Sequence, residues 1–147
     1  MNRKQIQLEV CKAMLDANGT MRIGDLGNGF VAVTVNGFIA YAFADNECIF
    51  DKTKIANIAS NIFQSLFERE ERDEKLTKTP FLVSFHNRIA IKFCCEKFDC
   101  YIDEKYYKQL AGLTLYASSS TGRVLAVDEF DCPVAVVMPI KVDEHEL

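Results

Sequence analysis

The apolar side chains of this sequence switch three times from a three-to-four-residue repeat to every-other-residue alternation, which leaves few architectures open. Residues 3–17 place Ile6, Val10, Ala13, Met14 and Ala17 on one helical stripe, and Asn18-Gly19 then supplies a left-handed C-cap. Three short apolar runs follow, Thr20–Leu26, Phe30–Val35 and Phe38–Phe43. Asn28-Gly29 and Asn36-Gly37 separate them, a dipeptide that suits tight hairpin turns, so they predict an antiparallel meander.

A second helical stripe runs through Ile55, Ile58, Ala59, Ile62, Phe63, Leu66 and Phe67, with Asp51 or Thr53 as its cap. It enters eight consecutive charged residues, Glu68 to Lys75, five acidic and three basic. That run reads as a solvated helix end and loop, with an acidic contact for a basic partner as the sharper alternative. Pro80 opens a second strand group, Phe81–Phe85, Arg88–Cys94 and Phe98–Ile102, with turns at His86-Asn87 and Glu96-Lys97. In its middle strand Ile89, Ile91 and Phe93 face one way and Ala90, Lys92 and Cys94 the other. Asp103 caps a short third helix, Glu104 to Leu110, that ends at Gly112. The last strands are Leu113–Ala117, Arg123–Val127 and Val134–Ile140, joined by Ser118–Gly122 and a loop with Pro133. Residues Asp143–Leu147 form a polar tail.

Helix followed by three strands therefore occurs three times, which suggests repeat units over 1–50, 51–102 and 103–142 within a single domain. Ile49-Phe50-Asp51-Lys52 and Tyr101-Ile102-Asp103-Glu104 enter the second and third helices alike, an apolar pair followed by an aspartate cap. The fold class this predicts is α+β, with repeated α-β-β-β units and antiparallel strands in one continuous or two adjoining sheets. The helices are expected on one face.

With 147 residues, 49% hydrophobic and 26% charged, the composition is that of a globular protein and excludes a disordered tail or a fibre. The longest apolar runs fall far short of the roughly 20 residues a spanning helix needs. The start, MNRKQIQLEV, has no apolar h-region, so no signal peptide and a cytoplasmic location are expected. In that setting the six cysteines read as reduced, mostly packed thiols. A net charge of −4 argues against a general nucleic-acid binder, although a local basic face fits on an acidic body.

Catalytic groups are scarce. The two histidines, His86 at a hairpin turn and His145 in the tail, lie where no enclosed base is expected. Cys94, Cys95 and Cys100 lack the paired spacing of a zinc site, so no metal or cofactor is predicted. The segment Gly24-Asp-Leu-Gly-Asn-Gly29 reverses the dinucleotide glycine order and precedes a strand, so it reads as a turn; Ser118–Gly122 reads as a hairpin loop.

Two features bear on binding. Arg3, Lys4, Lys12, Lys52, Lys54, Lys105 and Lys108 would form a weak basic strip, suited to DNA phosphates, if the helices lie side by side; ordinary solvated helix faces are the plain reading. Pro139 lacks an N–H, which predicts that the last strand ends at a sheet edge. Val134, Val136, Met138 and Ile140 would then pair with a second copy or another protein.

This order of helices and antiparallel strands resembles the repeated module of DNA sliding clamps, the polymerase processivity factors. Val136-Val137-Met138-Pro139-Ile140-Lys141 is similar to the closing strand of a bacterial clamp subunit, and the hairpin Gly29–Phe43, with Thr34, Asn36 and Gly37, resembles the one before a clamp's second helix. The chain also resembles small proteins of bacterial mobile elements and prophages, implying a bacterial or phage setting. A clamp ring needs several such modules per subunit, and Glu68–Lys75 adds acid beside the second helix, so the resemblance bears on fold more than on activity. No reaction is legible in the sequence. The expected function is a non-enzymatic interaction domain, self-associating or binding another protein, with DNA association as its sharper form. A small enzyme or ligand-binding domain with a pocket between helices and sheet, using Asp25 and Asp45 first, is the alternative.

Overall fold

The first helix, α1 (Arg3–Leu15), starts where the Asn2 side chain accepts the Gln5 N–H at 3.1 Å, a bond that satisfies one of the free amides of the first turn. Ile6 and Val10 turn inward and are fully buried. In this computed structural model, which describes residues 1–16 and 20–142, the expected cap at Asn18-Gly19 and the tail 143–147 lie outside the described residues.

Strands β1 (Arg22–Gly27), β2 (Phe30–Thr34) and β3 (Ile39–Ala44) form the expected antiparallel meander. Its first turn runs through Gly27, Asn28 and Gly29, all at positive φ, the conformation for which asparagine and glycine are suited. In the second, Thr34 Oγ1 accepts the Gly37 N–H and donates to the Ile39 carbonyl.

The second helix departs from its expected length. Only α2 (Ser60–Phe67) is helical. Asp51 caps a single 3₁₀ turn, Lys52–Lys54, and residues 56–58 run extended beside β1. The Ile23 N–H donates to the Ala56 carbonyl and the Ile58 N–H to the Ile23 carbonyl, both at 2.9 Å. The physical reason is the open edge of β1: pairing there satisfies backbone groups that a longer helix would have left bare, and β-branched isoleucines suit extended chain.

Beyond α2, β4 (Glu74–Lys75) leads to β5 (Thr77–Phe85), β6 (Arg88–Cys94) and β7 (Asp99–Asp103). The Asp103 carboxylate caps α3 (Glu104–Leu110) by accepting the Lys105 N–H, and Gly112 follows at positive φ. Then come β8 (Thr114–Ala117), β9 (Val124–Val127) and β10 (Pro133–Val137).

The protein is α+β with antiparallel sheets, as predicted. A seven-stranded sheet runs β1-β2-β3-β10-β9-β8-β4, and β5-β6-β7 form a second sheet of three strands. The first and last meanders therefore meet through their third strands, with Ala135 opposite Tyr41.

Alternation in the large sheet separates two cores, and it corrects the expectation that all helices share one face. Val33, Ile39, Tyr41, Phe43, Val124, Ala126, Ala135 and Val137 pack with Ile6 and Val10 of α1, Tyr106 and Leu110 of α3, and Ile91, Phe93 and Ile102 of the small sheet. Their neighbours Ala32, Ala40, Ala42, Leu125, Val127 and Val136 pack instead with Phe63 and Phe67 of α2. Hence α2 lies on the opposite face from α1 and α3. The reason is size: a row of alanines with Gly24 makes a flat floor, and a Cβ on Gly24 would stand 2.6 Å from the Phe63 ring.

Candidate functional site

The seven basic residues of the expected strip differ in their partners. Arg3 is held inward: it pairs with Glu47, donates to the Ala42 carbonyl at 3.0 Å and lies over the Phe43 ring. The hydrogen bond from the Arg3 guanidinium to the Glu47 carboxylate is the main cause that holds that carboxyl below its ordinary range. Lys52 pairs with Asp45 and Lys108 with Glu104, while Lys105 lies over the Tyr106 ring. Lys4, Lys12 and Lys54 are exposed. Helices α1 and α3 are neighbours, joined where Gln109 Nε2 donates to Glu9 Oε2 at 2.5 Å and Gln109 Oε1 accepts from the Tyr41 hydroxyl. Lys52 and Lys54 stand on the 3₁₀ turn before α2, flanked by Phe50 and Ile55, which pack in the core shared with α1 and α3.

The last strand is not at an edge. β10 pairs with β3 on one side and β9 on the other, so Val134 and Val136 are buried within the sheet. Pro139 lies beyond the strand, where its missing N–H interrupts no ladder. Met138 and Ile140 are half-buried; the Met138 N–H donates to the Phe38 carbonyl and the Ile140 N–H to the Tyr101 carbonyl. The expected pairing edge at Val134, Val136, Met138 and Ile140 is therefore already filled from within the chain.

Asp25 and Asp45 do share a cavity. Both line an open cleft of about 540 Å³ between the turn at Gly27–Gly29 and the segment carrying Lys52, Thr53 and Asn57. The Asp25 carboxylate accepts the Gly27 N–H at 2.8 Å, and the Asp45 amide donates to the Gly29 carbonyl at 2.7 Å. Contact with Asp45 pushes the Lys52 amine to a higher pKa and keeps it charged, which makes it a poor nucleophile or base. The cleft therefore offers carboxylates, an ammonium, a hydroxyl and side-chain amides for polar contact.

The thiols range from buried Cys100 to exposed Cys132. Cys100 is buried, and desolvation is the main cause that pushes its pKa up to about 12. His86 sits where sequence reasoning put it, in the β5–β6 turn, with φ positive at both His86 and Asn87 as a type I′ turn requires. Among the described residues no group of three or more His, Cys, Asp or Glu is placed to hold a metal ion.

The edge that is open is β5. Residues 56–58 cover β1, β4 is two residues long, and a bridge from Tyr101 to Ile140 flanks β7. On β5, among the described residues, no other element pairs with the outer side. Its side chains Phe81 and Leu82 are 62% and 61% exposed, and Ile89 of β6 is exposed opposite Ser84. The Phe85–Arg88 pair closes the two-residue turn, so Phe85 and Val83 direct their N–H and C=O groups toward β6, and Leu82 and Ser84 direct theirs outward. The sequence signal for this edge was Pro80, which lies inside the strand at an irregularity between Lys78 and Leu82, where an edge proline belongs. Comparison with protein-family models, curated proteins and solved structures returned no match.

Proposed function

We propose that the chain is a non-enzymatic protein-interaction domain that pairs with a second copy of itself along β5. The observation that supports this reading is the long unpaired edge with Phe81 on one face and Leu82 on the other. Antiparallel self-pairing centred on Val83 sets Leu82 opposite Ser84 of the partner subunit and Phe81 opposite Phe85 of the partner subunit. The outward amides and carbonyls would then bond across a twofold axis, and each apolar or aromatic cross-strand pair adds about 0.2–1 kcal/mol. Pro80 and Lys78 blunt only the first half of the strand.

Light scattering of the full chain over a concentration series tests it. The protein should dimerise, Leu82→Lys should hold it monomeric with its fold intact, and the Leu82 and Ser84 amides should gain exchange protection only in the dimer. A strict monomer at millimolar concentration overturns the reading. A DNA-associated form has less support, because Arg3, Lys52 and Lys108 are already paired with carboxylates.

A small-ligand reading has one specific observation in its favour, the convergence of Asp25 and Asp45 on one cleft. Thermal-shift measurements against a panel of small polar amines, with Asp25→Asn as the control, test it; an unmoved melting temperature throughout counts against it.

A further inference from the structure

The loop between β9 and β10 carries Phe130, 78% exposed and the most exposed phenylalanine of the described residues. A single exposed ring needs no explanation by itself. This one is held out on a rigid support. The Asp128 carboxylate accepts the N–H groups of both Phe130 and Cys132 at 2.9 Å, the Asp128 N–H donates to the Cys132 carbonyl, and the Asp131 N–H donates to the Asp128 carbonyl. Asp131, at φ 61°, is gripped by Arg69 through both carboxylate oxygens at 2.7 and 2.8 Å. The Arg69 guanidinium in turn stacks 3.9 Å over the Tyr116 ring.

That grip joins the loop to the charged run after α2. Within the run Glu70 and Asp73 close a turn, with Glu70 N–H donating to Asp73 and Asp73 N–H to the Glu70 carbonyl. Six carboxylates, Glu68, Glu70, Glu71, Asp128, Glu129 and Asp131, stand here against two guanidiniums, Arg69 and Arg72. Their balance equals the net charge of the whole chain, −4. Two acid-rich segments joined by the Arg69–Asp131 link thus carry an aromatic ring on a hydrogen-bonded loop, and preorganisation lowers the entropy cost of binding.

We propose that Phe130 and these acid-rich segments form a docking surface for a protein partner that presents an apolar pocket ringed by lysine and arginine. Charge selects this occupant. A second copy would set six carboxylates against six, and nucleic acid or an anionic membrane would be repelled in the same way. The surface belongs to the seven-stranded sheet and is independent of the β5 edge on the small one, so either can fail alone.

The test is selection of a phage-displayed random peptide library on the full chain under reducing conditions, followed by titration of the enriched peptides. They should carry Lys or Arg around apolar residues, bind more weakly as salt rises, and lose at least about tenfold in affinity to Phe130→Ala and to Glu70→Lys/Glu71→Lys. Both variants change exposed side chains and should keep the wild-type denaturant midpoint. No enrichment, enrichment of acidic or neutral peptides, or equal binding to Phe130→Ala overturns the proposal.

Discussion

Arg123 Nη2 donates to Asp73 Oδ2 at 3.0 Å with the two side chains 2% and 1% exposed, and the same Nη2 donates to the Glu68 carbonyl at 2.6 Å. A charged run expected to be solvated is in this way pinned to the interior of the sheet through β9 and its preceding loop. Removing one member of such a pair strands the other charge away from water. Asp73→Ala or Arg123→Ala should therefore cost about 3–5 kcal/mol, whereas replacing both by apolar residues of similar volume should recover most of the loss. Urea denaturation of the two single variants and the Asp73→Leu/Arg123→Met double variant checks this.

Neighbouring residues of α2 should respond very unequally to truncation. Phe63 is 3% exposed on the alanine floor and Ile62 is 44% exposed. Phe63→Ala should destabilise by about 3–5 kcal/mol and Ile62→Ala by less than about 0.5. Gly24→Ala, whose Cβ meets the Phe63 ring, should cost about 1–3 kcal/mol and be partly rescued by Phe63→Leu. Denaturant midpoints rank the variants.

The Arg3–Glu47 pair should give stability an acid limb. Glu47 titrates below its ordinary 4.5 in the folded chain, so the folded state binds fewer protons than the unfolded one as acid is added. The pair's contribution is present above about 4.5 and lost as pH falls through the lowered folded value. Glu47→Gln should flatten that part of the profile, read as urea midpoints at neutral and acid pH.

Thiol reactivity should divide by burial. Cys132 is exposed on its loop, and Cys100 is buried with its thiolate strongly disfavoured. At mildly alkaline pH an alkylating reagent should modify Cys132 early and Cys100 only after unfolding, as peptide mass mapping over time will show.

The helices and hairpins were legible because their signals are local. Asp103 caps α3 from within one turn, and Asn28-Gly29 bends the chain between adjacent strands. What escaped depends on distant chain. Residues 56–58 are extended because β1 offers them partners, although Ile55 and Ile58 also keep a helical spacing. The same holds for proline. Pro80 sits inside an edge strand and Pro139 lies outside a central one, a difference set by which strands come to lie alongside. At the candidate sites, Asp25 and Asp45 were visible as strand-end carboxylates. The Arg69–Asp131 link was not, since it joins elements brought together only by the final sheet order, and Pro80 marks β5 as an edge only once that order is known.

That β10 is the central strand has a consequence for synthesis. Tyr41 must wait for Ala135, so a nascent chain leaves the ribosome with β3 bare along one side until residues 133–137 emerge. Such late, non-local closure raises contact order and slows folding. During that interval β3 offers an open side to wrong strand pairing, and a chaperone that shields it would raise the yield of native protein.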